Sequence, residues 1–195
     1  RFAIITGGPG TGKTTTVMRL LIALQLAISS DRPLRIRLAA PTGKAAVRLS
    51  ESISSQRDRL SRDGDDTSLL SEVMTLHRLL GPIPNSRQFR HHAGNPLPAD
   101  VVVIDEASMV DIELFAQLLD ALPDACRLVL LGDKDQLASV EAGAVLGSLC
   151  ARADAGHYSA NTMAWLKSTT GQQLPASVQS SVGQPIDQAI TMLRF

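Results

Sequence analysis

Short apolar runs alternate with longer stretches of helical period along most of the chain. Phe2-Ala-Ile-Ile-Thr6 is a brief apolar run that ends in glycines, and Lys13 to Ser29 then sets Val17, Leu20, Leu21, Leu24 and Ile28 at i, i+3, i+4 spacing. This predicts a strand and then an amphipathic helix. Arg35 to Ala40 repeats the short run, Pro41 closes it, and Thr42 is placed to cap a helix running through Ala46, Leu49 and Ile53. Ser61 to Ser71 is polar enough to predict a loop, after which Glu72 to Leu80 predicts a short helix stopped by Gly81 and Pro82. Residues 81–99 hold four prolines together with Arg87, Arg90, His91 and His92, which predicts an irregular surface excursion or small hairpin able to face phosphates. Val101-Val-Val-Ile104 and Arg127-Leu-Val-Leu-Leu131 are nearly continuous apolar runs, as in strands buried on both faces, and Ile112 to Leu122 between them has helical period. Strand and helix in alternation predict an α/β fold, a parallel sheet with crossover helices on both faces.

The regular alternation covers residues 1–150. Beyond Cys150 the sequence turns to Ser, Thr, Gln and Ala, punctuated by Gly171, Pro175, Gly183 and Pro185. Within residues 151–195 only Asn161 to Thr169 predicts a short helix, and residues 170–185 are expected to form a mobile connection.

Composition narrows the class. With 195 residues, 44% of them hydrophobic, the chain has material for a sizeable core, which excludes disorder, collagen and small disulfide scaffolds. The longest apolar-rich stretch, Val17 to Ile28, is interrupted by Arg19 and Gln25 and falls short of the ~20 residues needed to span a bilayer, so no membrane role is expected. Cys126 and Cys150 have no metal-ligating neighbours at zinc spacing, which fits a reducing cytoplasmic setting. Arg1 leads straight into an apolar run without an initiator Met or a signal segment, so a piece excised from a longer chain is expected. Formal net charge is zero, but it is unevenly spread: residues 1–100 hold fourteen Lys/Arg against eight Asp/Glu, and residues 101–195 hold five against eleven. One half can face phosphates, although Arg48, Arg57, Arg59 and Arg62 read equally well as the solvated face of a helix.

Three motifs carry the chemistry. Gly7-Gly8-Pro9-Gly10-Thr11-Gly12-Lys13-Thr14 fits G-x-x-x-x-G-K-[ST] and lies between a predicted strand and a predicted helix, the setting that motif requires. Glycines let backbone N–H groups and the helix N-terminus wrap phosphates, Lys13 adds positive charge, and Thr14 offers a hydroxyl to Mg²⁺. The expected nucleotide contacts run from Gly8 to Thr15. A Gly-rich turn without this purpose needs neither the lysine nor the threonine. Asp105-Glu106 follows a buried run, so two adjacent carboxylates reach the sheet edge: Asp105 toward Mg²⁺, Glu106 toward the attacking water of ATP hydrolysis. Alone, the pair would read as an acidic first turn favouring the next helix. Gly132-Asp-Lys-Asp-Gln136 leaves the same edge after the following run, and the Gln136 amide can hydrogen-bond a γ-phosphate or its water and lose that contact after hydrolysis.

In order along the chain, the phosphate loop, Ala40-Pro-Thr-Gly-Lys-Ala-Ala46, Thr75-Leu-His-Arg-Leu-Leu80, Asp105-Glu-Ala-Ser108 and Gly132-Asp-Lys-Asp-Gln-Leu-Ala-Ser-Val-Glu-Ala-Gly143 resemble superfamily 1 DNA helicases. Together with His91-His-Ala-Gly-Asn-Pro-Leu97, they resemble the RecD family, the alpha subunits of bacterial exodeoxyribonuclease V, most strongly over residues 2–150. The resemblance implies a RecA-like P-loop NTPase motor driven by ATP and Mg²⁺, 5′ to 3′ movement on single-stranded DNA, and assembly with beta and gamma subunits for recombinational repair of double-strand breaks. It implies DNA contacts at Pro41, Thr42, Gly43, Lys44 and His77, and it reads Leu193-Arg194-Phe195 as the start of a motif whose arginine, Arg194, reaches the γ-phosphate. Residues 151–195 would then lead toward a second motor domain, and one motor domain without the other is expected to turn over ATP weakly and to unwind nothing. Two other classes fit parts of the sequence: a small-molecule P-loop kinase, for which Glu106 and Gln136 would be superfluous, and a catalytically inactive nucleotide-binding interaction fragment. Phosphate release with and without single-stranded DNA separates them.

Overall fold

The computed structural model describes residues 2–27, 32–62, 72–136, 145–153, 157–179 and 189–193. Six strands form one sheet: β1 (Phe2–Thr6), β2 (Ile36–Ala40), β3 (Val73–Thr75), β4 (Val101–Ile104), β5 (Arg127–Gly132) and β6 (Ile190–Met192). Their spatial order is β3-β2-β4-β5-β1-β6, and every pairing is parallel. Helices α1 (Lys13–Ala27), α2 (Gly43–Arg62), α3 (Leu76–Leu80), α4 (Ile112–Ala121), α5 (Val145–Leu149) and α6 (Ala160–Thr170) complete the described framework, with short 3-10 turns at Ala107–Met109 and Ala176–Val178.

Side chains alternate across a strand, so the apolar run of β4 feeds two cores at once. Val101 and Val103 pack with Ile5, Leu38, Val129 and Leu131 against Val17, Met18 and Leu21 of α1 and Leu49 and Ile53 of α2. Val102 and Ile104 point the other way, with Ile4, Leu128 and Leu130, onto Leu76 and Leu80 of α3, Leu114 and Leu118 of α4, and Leu146 of α5. The molecule is thus an α/β RecA-like P-loop fold, a parallel sheet covered on both faces. No described helix is long and apolar enough to cross a membrane.

Two elements differ from the sequence expectation. Glu72 to Leu80 is not one helix: Val73-Met74-Thr75 is an edge strand paired with Leu38–Ala40, and the helix begins only at Leu76. Thr75 explains the break, because it sits in extended conformation and its side chain accepts a hydrogen bond from the Arg78 amide at 3.2 Å, an N-cap that fixes where the helix starts. The second difference lies after Cys150, where Ile190–Met192 pairs with Ile4–Thr6 and buries Ile190 in the core. Of residues 170–185, those up to Gln179 contain the second 3-10 turn and a parallel bridge from Gln179 to Tyr158, and 180–185 lie outside the described residues. The expected loop at 61–71 also falls there apart from its first two residues, Ser61 and Arg62, which continue α2. Residues 81–99 form the expected excursion, held by bridges Pro82–Phe89 and His92–Asn95.

At the amino end of the sheet, Asp100 ties β2 to β4. Its carboxylate accepts from the guanidiniums of Arg32 and Arg35 and from the Arg35 amide, at 2.7 to 3.2 Å. These partners hold its pKa far below the usual carboxylate range. Register at this end is therefore fixed, and the chemistry-bearing loops all leave the opposite end.

Candidate active site at the carboxyl edge of the sheet

The loop after β1 is shaped by its glycines. Gly10 and Gly12 have φ of 77° and 83°, a left-handed backbone that glycine adopts without penalty. Gly7 is a close approach: a Cβ there would stand 2.6 Å from the Leu193 carbonyl oxygen and 2.9 Å from Thr11 Oγ1. The Lys13 ammonium folds back over the loop and donates to the carbonyls of Gly7 (2.7 Å) and Gly8 (3.0 Å), while Thr11 Oγ1 donates to Gly8 at 2.9 Å. Thr16 makes the first intrahelical bond, to Gly12 at 2.9 Å, so the amides at the head of α1 have no intrahelical acceptor and can serve an anion.

Two strands away, β4 delivers Asp105 and Glu106. The Asp105 amide bonds to Ala39 of β2 at 2.9 Å, and Asp105 Oδ1 accepts from the Glu106 amide at 2.9 Å. Glu106 itself is left-handed, with φ 52° and ψ 39°, a costly backbone for a non-glycine residue and one that turns the chain sharply off the strand. Burial raises the pKa of Asp105, partly offset by the Glu106 amide and by Lys13. Burial also raises Glu106, with Asp105 adding to the effect and Lys13 and Arg48 opposing it. The loop of β1 and the end of β4 leave the same edge of the sheet with only β5 between them, and the Lys13 charge opposes both upward shifts.

Between them ends β5. Thr6 lies opposite Gly132 in register, the Gly7 amide donates to Gly132 at 3.2 Å, and the buried Thr6 hydroxyl accepts from the Lys134 amide at 3.0 Å. These bonds fix the Asp133–Gln136 turn beside the phosphate loop. Within it the Asp135 amide bonds Asp133 Oδ1 at 3.0 Å, and the Gln136 carboxamide oxygen accepts from Ser108 Oγ at 2.8 Å.

The ends of β2 and β3 are adjacent, Ala40 lying opposite Thr75. Thr42 caps α2, its Oγ1 accepting from the Ala45 amide at 3.2 Å, while Gly43 and Lys44 stand exposed. His77 on α3 is exposed and meets Phe89 of the excursion edge-on, ring centroids 5.7 Å apart.

Residues 1–142 match the AAA domain family. The chain belongs to that family. Over 149 residues this AAA domain is 55% identical to the RecBCD enzyme subunit RecD of Mycolicibacterium smegmatis, covering 75% of this chain and 27% of the relative. It is 48% identical over 181 residues to the Haemophilus influenzae RecBCD enzyme subunit RecD (90% of this chain, 28% of that one). It is also 38% identical over 149 residues to the ATP-dependent RecD2 DNA helicase of Deinococcus radiodurans (76% and 18%). The chain spans about a quarter of the length of the curated RecD relatives it matches.

The AAA domain brings Gly8 to Thr15, Asp105, Glu106 and Gln136 to one stretch of the edge, at β1, β4 and β5, and sets Pro41–Lys44 and His77 at the β2 and β3 end. Arg194 lies outside the described residues. Sequence reasoning passed over three contributors. The sequence leaves Arg48 open between a solvated helix face and a phosphate-facing one, and its charge on α2 opposes the raised pKa of Glu106; Thr6 reads in the sequence as the end of an apolar run, and Ser108 as part of a motif. A polar residue closing an otherwise apolar strand was the signal available for Thr6.

Proposed function

We propose that this AAA domain is the ATP-hydrolysing motor segment of a RecD-type DNA helicase that moves 5′ to 3′ on single-stranded DNA. In this reading it works in the cytoplasm as part of an alpha subunit, with beta and gamma subunits of an exodeoxyribonuclease V-like complex in recombinational repair of double-strand breaks. The observation that supports it best is that the phosphate loop after β1, the Gln136 turn after β5 and Asp105-Glu106 after β4 leave adjacent strands at one edge of the sheet, with the Gln136 turn bonded to Thr6 and to Ser108.

Gly8, Pro9, Gly10, Thr11, Gly12, Lys13, Thr14 and Thr15 would wrap the phosphates of ATP. Lys13, released from the Gly7 and Gly8 carbonyls, would move its charge onto the phosphate oxygens. Glu106 would accept the proton of the attacking water as its oxygen bonds to the γ-phosphorus. The bond from that phosphorus to the bridging oxygen breaks, and ADP leaves with the electron pair. A carboxylate raised by burial is a better-matched base near neutral pH than an ordinary one. Gln136 would report the γ-phosphate by holding or losing a hydrogen bond to it. Asp105 and the Thr14 hydroxyl suit Mg²⁺, since the half-buried carboxylate needs a compensating cation and, among the described residues, only its Oδ1 is hydrogen-bonded. When bound, Mg²⁺ would neutralise phosphate charge. The half-buried Pro41, the exposed Thr42-Gly43-Lys44 and His77 would meet the DNA backbone, and Arg194 is assigned to the γ-phosphate on resemblance alone.

Phosphate release by a RecD-length protein carrying this segment, measured with and without single-stranded DNA, tests the reading. Hydrolysis stimulated several-fold by DNA is expected. Turnover indifferent to DNA, transfer of phosphate to a small-molecule acceptor, or nucleotide binding without turnover would each replace it.

A further inference from the structure

Gln136 presents a carboxamide whose two ends have nearly the same shape and opposite character: Nε2 donates and Oε1 accepts. Toward an anionic γ-phosphate only the donor end is attractive, so a Gln136 free to flip would offer the wrong end for part of the time. In this structure Ser108 Oγ donates to Gln136 Oε1 at 2.8 Å, which holds the oxygen and leaves Nε2 as the outward group. Ser108 is suited to that task because it is itself fixed. It is buried, it sits in the 3-10 turn Ala107–Met109 immediately after Glu106, and the Met109 amide closes the turn on the Glu106 carbonyl at 3.0 Å. Gly132 allows the two segments to meet, since a Cβ there would stand 3.2 Å from the Ser108 amide nitrogen and 2.4 Å from Leu146 Cδ2.

We propose that Ser108 is a positioning residue for ATP hydrolysis, fixing which end of the Gln136 carboxamide faces the nucleotide. The proposal rests on the reading of Gln136 as the group that contacts the γ-phosphate. Because Ser108 lies two residues from Glu106 on one rigid turn, it also joins the water-activating carboxylate to the sensing amide, so both groups take their places relative to β4.

The test uses a RecD-length protein and four variants, Ser108→Ala, Ser108→Cys, Gln136→Ala and the Ser108→Ala/Gln136→Ala pair, with kcat and KM for ATP measured at saturating single-stranded DNA. Cysteine keeps the side-chain volume but is a weak donor, so it separates the hydrogen bond from packing should the alanine variant fold poorly. Ser108→Ala and Ser108→Cys should each lower kcat roughly tenfold, the scale of one lost hydrogen bond, with KM changed by less than about twofold. In the Gln136→Ala background, Ser108→Ala should have no further effect. Parental kcat in Ser108→Cys, or losses that multiply in the double variant, would overturn the positioning role. Parental turnover by Gln136→Ala alone would instead overturn the reading of Gln136 on which it depends.

Discussion

Where β1, β5 and β4 end, the candidate side chains are bonded, and all but the exposed Gln136 are partly buried. Lys13 is held by two carbonyls, Asp105 by an amide, Gln136 by Ser108, and both carboxylates are pushed up by burial. Where β2 and β3 end, Gly43, Lys44 and His77 stand in solvent, and their supports are helix caps at Thr42 and Thr75. The same sheet edge therefore carries two kinds of construction. Hydrolysis needs groups placed to a fraction of an ångström in a partly desolvated space, whereas gripping a polymer of phosphates needs only exposed charge on a firm base.

If this contrast is sound, substitutions at the bonded end should have the larger effects. Lys13→Ala and Glu106→Gln are each expected to lower ATP turnover by at least about a hundredfold, but only Lys13→Ala should lose ATP affinity, since the proposed role of Glu106 is on water rather than on the phosphates. Nucleotide titration beside steady-state rates checks the split. Next in size is Gly7→Ala, whose new methyl group would meet the Leu193 carbonyl at 2.6 Å, a backbone atom that cannot swing aside. A stability loss of about 2 kcal/mol is expected in denaturant unfolding, together with weaker nucleotide binding.

Carboxylates sharpen the contrast through the sign of their pH dependence. Asp100 has a lowered pKa, so its contribution is present above the ordinary carboxylate range and fades as pH falls toward the depressed value; Asp100→Asn should cost about 2 kcal/mol near neutrality. Glu106 has a raised pKa, so its ionised form penalises the fold above that range and the penalty vanishes as pH falls below the ordinary value. Glu106→Gln should accordingly raise the melting temperature of the nucleotide-free protein by about 2 °C at neutral pH and by nothing near pH 4. Thermal melts across pH should show the two variants moving in opposite directions.

How far these two constructions were legible in the sequence follows from their physics. Continuous apolar runs name β1, β4 and β5, because strands covered on both faces leave no polar alternation, and motif spacing then puts Lys13, Asp105, Glu106 and Gln136 at their ends. Strand β3 was hidden because three residues are too few for a period and its last residue doubles as a helix cap. Strand β6 was hidden because it follows a long polar stretch, and its partners lie near the opposite end of the chain. Ser108 and Thr6 depend on hydrogen bonds between segments far apart in sequence, and the influence of Arg48 on Glu106 depends on a fold that brings their charges near, none of which spacing can report.

The proposed division of the edge into a nucleotide end and a DNA end is tested most directly by titrating ATP and single-stranded DNA separately against Lys13→Ala and Lys44→Ala in a RecD-length protein. Lys13→Ala should lose ATP affinity and keep its DNA affinity. Lys44→Ala should keep its ATP affinity, bind different DNA sequences equally more weakly, and flatten the log K versus log salt slope by ~0.7, one phosphate contact. If both variants lost both ligands to the same extent, or if Lys44→Ala kept its full DNA affinity and salt slope, the two-ended account would be wrong.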